Sequence, residues 1–124
     1  MKKKLTLISA VLLLMIAAAN TANAQSYSIS GPGSIYISSS QDYGRADLTC
    51  VPSDVSLKYV WSVEGHNGTP WQIYPNLTYS PFACLYVWPS GIYQYGYVDV
   101  ICKVYDSSGT TLLGTAYLGI TVSY

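Results

Sequence analysis

Apolar and polar residues alternate with a period of two along most of the chain, the spacing that gives a β-strand one apolar face. In the stretch from 57 to 64, Leu57, Tyr59, Trp61 and Val63 fall on one face, and Lys58, Val60, Ser62 and Glu64 on the other. Trp61 is the largest of the inward set and is expected to be the central plug of the core. Further on, Val98, Val100, Cys102 and Val104 point in, while Tyr97, Asp99, Ile101, Lys103 and Tyr105 point out. Asp106-Ser107-Ser108-Gly109 reads as a hairpin turn. After it, Leu112, Gly114, Ala116, Leu118, Ile120 and Val122 share one face of a last strand, and Thr111, Leu113, Thr115, Tyr117, Thr121 and Ser123 share the other.

The earlier segments are shorter. Tyr27 to Ser30 and Ser34 to Ser38 are two strands separated by Gly31-Pro32-Gly33, an edge with a break in it because Pro32 cannot donate to a ladder. Arg45 to Val51 sends Ala46, Leu48 and Cys50 inward and Asp47 and Thr49 outward. Gly65 to Pro70 is expected to be a loop with an Asn-Gly turn, and Trp71 to Tyr74 a short strand. Phe82 to Trp88 is apolar on both faces, so pattern alone does not fix its phase. By analogy with the small aliphatic inner faces elsewhere, Ala83, Leu85 and Val87 are placed inward, leaving Phe82, Cys84, Tyr86 and Trp88 outward. No stretch after residue 24 has helical spacing, so the domain is expected to be all-β.

Residues 1–24 have a different character. Lys2, Lys3 and Lys4 precede the apolar run from Leu5 to Ala19, and Ala22-Asn23-Ala24 has the form of a signal-peptidase site. The run is shorter than the ~20 apolar residues of a membrane span. These features predict a cleaved signal peptide (1–24), export by the Sec route to the periplasm, cell surface or medium, and one mature domain (25–124) without a membrane span. The mature part carries three cations, Arg45, Lys58 and Lys103, against six acids, a net charge of −3. So few cations argue against tracking nucleic-acid phosphates.

Seven or eight short strands with a turn every eight to twelve residues, and a cysteine on either side of the Trp61 strand, fit an immunoglobulin-like two-sheet sandwich. Ile29-Ser30-Gly31-Pro32, Tyr59-Val60-Trp61-Ser62-Val63, and Val98 to Asp106 followed by Ser107-Ser108-Gly109 resemble the Ig-like and PKD-like domains of secreted and surface proteins of Bacteroidetes. The resemblance implies a non-catalytic interaction or adhesion module. The chain differs from that group in being expected to stand alone, and from antibody-type domains in having Val100 where the corner tyrosine would be. Three cysteines allow three single pairings. Cys50 with Cys102 is preferred, since both lie on inward phases of strands expected in opposite sheets; Cys84 would then be free.

No catalytic constellation emerges. His66 is the only histidine, it lies in the expected loop, and nothing in the sequence places it beside Cys84 and an acid. One histidine and scattered cysteines match no zinc spacing, Asp42, Asp47 and Asp54 lack an EF-hand loop, and no cofactor is expected. What remains is aromatic surface. Tyr93, Tyr95 and Tyr97 share a face if that segment is extended, and with Trp71 and Trp88 they are candidates for stacking on a sugar or docking a protein, because rigid rings offer contact area at little entropic cost. The expected partner is an unidentified protein or glycan at the cell surface.

Overall fold

The computed structural model describes residues 25–66, 69–75, 80–89 and 95–124; the predicted signal peptide lies outside them. Eight strands follow in order: β1 (Ser28–Ser30), β2 (Ser34–Tyr36), β3 (Gly44–Val51), β4 (Lys58–His66), β5 (Trp71–Tyr74), β6 (Phe82–Val87), β7 (Tyr95–Tyr105) and β8 (Leu112–Ser123). They form two sheets, ordered β1-β3-β6-β5 and β2-β8-β7-β4. This is the strand order of an immunoglobulin-like sandwich whose first strand is split between the sheets. The split occurs at Gly31-Pro32-Gly33: β1 pairs antiparallel with β3, whereas β2 pairs parallel with β8 in the other sheet.

The core lies between the sheets and is built by the alternation read from the sequence. Ala46, Leu48 and Cys50 of β3 meet Val98, Val100, Cys102 and Val104 of β7 and Ala116, Ile120 and Val122 of β8 in one buried cluster. On β6, Ala83, Leu85 and Val87 are buried on the core side, which fixes the phase that the pattern left open. Cys84 is also buried although it points to the outer face.

Trp61 is not the central plug. It packs against the core but stays partly exposed, and Tyr59 is the largest fully buried side chain. Both residues lie on one face of β4, the edge strand of its sheet, but the packing seals Tyr59 and leaves part of the Trp61 side chain open. Its Nε1–H donates to the Ser80 carbonyl at 3.0 Å. The Tyr59 hydroxyl accepts the Asp54 N–H at 2.9 Å and donates to the Pro52 carbonyl at 3.3 Å, so its burial leaves no polar atom unpaired.

The expected loop beginning at Gly65 starts later, since β4 stays paired with β7 through Gly65↔Val98 and His66↔Tyr97. His66 is therefore a strand residue. The β7–β8 hairpin forms where expected: Asp106 Oδ1 accepts from the Ser108 hydroxyl and from the Thr110 and Thr111 N–H groups, and Gly109 takes the left-handed backbone (φ 76°) that closes the turn. Among the described residues, no helix is long and apolar enough to cross a membrane.

Candidate functional site

The outer face of the β1-β3-β6-β5 sheet gathers four aromatic rings. Tyr86 is the hub. On β6 it lies opposite Arg45 of β3 and opposite Gln72 of β5, so its ring stands between two polar side chains. Trp88 follows two residues later on the same face, Tyr74 comes from β5, and Tyr43 comes from the residue before β3 begins. The ring centroids are close: Tyr43–Tyr86 at 5.4 Å in an edge-on arrangement, Tyr43–Trp88 at 5.9 Å, Tyr86–Trp88 at 6.1 Å and Tyr74–Tyr86 at 6.3 Å. All four separations lie in the ~4.5–7 Å range where aromatic pairs attract. Tyr43, Gln72, Tyr74, Tyr86 and Trp88 line a shallow open cavity of about 360 Å³, within the ~300–1,000 Å³ of typical ligand sites.

The rings are held from below and from the side. Arg45 Cζ lies 5.7 Å from the centroid of the Tyr86 ring, a cation–π distance. Its guanidinium also donates twice to Asp47 Oδ1, at 2.9 and 3.1 Å, which keeps it over the ring. That bond holds the Asp47 carboxyl below the usual carboxylate range. Beneath them, the Cys84 thiol is within reach of Tyr86 and Asp47. Burial pushes the Cys84 thiol up, and the contact with Cys84 pushes the Tyr86 phenol up, so both keep their protons at neutral pH. The platform thus presents apolar ring faces fringed by a guanidinium, a carboxamide and a carboxylate. A larger cleft of about 610 Å³ opens beside it, lined by Tyr36, Asp42, Tyr43 and Arg45 among others. It shares Tyr43 with the platform, but the four rings in mutual contact lie around the smaller cavity.

The residues singled out from the sequence are not brought together. Trp88 belongs to the platform. Trp71 is exposed, with its indole against Gly65 of β4. Tyr95 and Tyr97 stand on the outer face of the opposite sheet, Tyr95 73% exposed and Tyr97 lying over Gly119 of β8. Tyr93 falls outside the described residues. Tyr43, Tyr74 and Tyr86 were missed; the usable signal was the outward phase of β6, which already put Tyr86 and Trp88 on one face.

Cys50 and Cys102 are fully buried and stand as free thiols on facing sheets, their side chains in contact across the core. The hydrogen bond with Cys50, reinforced by burial, pushes the Cys102 thiol up. Cys84 and His66 lie on opposite outer faces of the sandwich, so the structure does not assemble a Cys-His pair. No protein-family model matches the sequence, and no curated protein matches it.

Proposed function

We propose that this chain is an exported, non-catalytic binding module of the Ig-like/PKD-like kind, and that it docks a saccharide on Tyr43, Tyr74, Tyr86 and Trp88. The observation that carries the reading is the unbroken contact of four rings on an open sheet face. A pyranose ring presents polarised C–H groups on its flat side, which complement the negative face of an aromatic ring. Its hydroxyls, at the rim, meet donors on Arg45, an acceptor on Asp47 and both on Gln72. Strands hold this surface in place before binding, which limits the entropic cost of association.

The test is an array of neutral and acidic oligosaccharides probed with the wild-type protein and with Tyr86→Ala and Tyr74→Ala. Retention of at least one saccharide, weakened tenfold or more by each substitution, is the expected result. Tyr74 is 60% exposed, so its loss should change stability by no more than ~0.5 kcal/mol. Retention unaffected by both variants would move the site elsewhere, and retention of no saccharide would leave a cell-surface protein as the partner of the same rings.

A further inference from the structure

The opposite face of the sandwich carries a second constellation, independent of the aromatic platform. On the outer side of β4 and β7, Glu64 and His66 sit two residues apart on one strand and so point the same way, and Asp99 stands directly across from Glu64 on the neighbouring strand. His66 Nε2 lies 3.0 Å from Asp99 Oδ2. One nitrogen and two carboxylate oxygens, one from each residue, fall within 4.8 Å of one another. We propose that Glu64, His66 and Asp99 form a surface site for a divalent transition ion of the zinc type.

The donor set selects the class of ion. Two carboxylates alone would suit a hard cation such as calcium or magnesium, whereas imidazole nitrogen with carboxylate oxygen suits zinc and its neighbours. A tetrahedral zinc ion has bonds of ~2.0–2.2 Å, which places its ligand atoms about 3.4 Å apart. His66 and Asp99 now share a direct hydrogen bond at 3.0 Å, so the ion replaces it with the two atoms moving apart by about 0.4 Å, and a rotamer adjustment of exposed Glu64 brings in the third ligand. The fourth position is left to water or to a donor from a partner. Two carboxylates directly opposite on adjacent strands repel each other, and a dication between them converts that repulsion into attraction.

The surroundings resemble the supporting shell of a metal site. The Tyr97 hydroxyl is within reach of the Asp99 carboxylate. The Tyr97 ring is 5.7 Å from that of His66 and lies over Gly119, where a side chain of any size would displace it. Tyr97 is thus a positioning residue for two of the three ligands. Both ligand-bearing elements are long paired strands, which place the donors more precisely than loops do.

The single histidine makes the test direct. Zinc chloride is titrated into the exported protein while the His66 imidazole signals are followed by NMR. The site requires that they shift to an end point at one equivalent of zinc, that an equal concentration of magnesium leaves them in place, and that Glu64→Gln and Asp99→Asn each weaken binding tenfold or more. Tyr97→Phe, which removes the hydroxyl near the Asp99 carboxylate, should weaken it by ~10-fold, the lower end of what loss of an outer partner of the ligands costs. Thermal melts of each variant confirm that it is folded. Imidazole signals unmoved by zinc overturn the assignment. So does His66→Ala protein that binds zinc as tightly as wild type, since the ion would then sit on other ligands such as Cys84.

Discussion

Tyr59 and Trp61 occupy the same face of β4 and differ in what surrounds them. Tyr59 is fully buried with both hydroxyl bonds satisfied, and Trp61 is only partly buried against the core. Truncating a large buried aromatic costs ~3–5 kcal/mol, a large share of a domain stability of ~5–15. Tyr59→Ala is therefore expected to cost more than Trp61→Ala in denaturant unfolding; the reverse order would restore Trp61 as the keystone. Three surface carboxyls are also held below their ordinary value: Asp47 by Arg45, Asp54 by the Ser56 hydroxyl and the half-buried Asp106 by the Ser108 hydroxyl. A depressed carboxyl stabilises the fold above the unfolded value of ~3.9, and the contribution is lost as pH falls through and below it. The melting temperature should accordingly hold near neutrality and decline below about pH 4. Because all three groups are solvated, this part of the decline is modest. A melting temperature that rises on acidification would contradict it.

At the scale of the strand, the phases were legible because a period of two needs no knowledge of the partner: the inward sets of β3, β7 and β8 are buried largely as the alternation requires. Exposure within a face was less legible. Leu112 ends exposed, and Trp61 stays partly open while Tyr59, on the same face of the same strand, is sealed. Strand order is also why the aromatic platform was missed. Tyr86 meets Arg45 only because β6 inserts between β3 and β5, a pairing of segments some forty positions apart. Tyr43 lies in an irregular stretch with no periodicity to mark it. His66 was read as part of a loop, since Gly and Asn follow local turn rules, whereas nine consecutive pairings carry β4 through to it. The β7–β8 hairpin was readable, and it makes a prediction of its own. Gly109→Ala forces a side chain into the left-handed region at ~1–2 kcal/mol, so it should lower the unfolding midpoint without altering the slope. No change in midpoint would mean that the turn relaxes freely.

Over the whole molecule, the sandwich separates three kinds of chemistry: an aromatic face on one sheet, a ligand triad on the other, and two thiols sealed between them. In an oxidising compartment the Cys50 and Cys102 thiols are placed to form a bridge between the sheets. It would close a loop of about fifty residues, stabilising the fold by ~4 kcal/mol in the chain-entropy model. Peptide mapping under non-reducing conditions should recover Cys50 linked to Cys102 with Cys84 unmodified, and a bridge that includes Cys84 would contradict the packing. The outer face of β3, β6 and β5 is the proposed binding surface. Aromatic NMR spectra recorded while the saccharide best retained on the array is added test it most directly. The ring signals of Tyr43, Tyr74, Tyr86 and Trp88 should shift together, with those of Tyr95, Tyr97 and Tyr117 unmoved. Shifts confined to Tyr95, Tyr97 and Tyr117 would place binding on the opposite sheet and contradict the account.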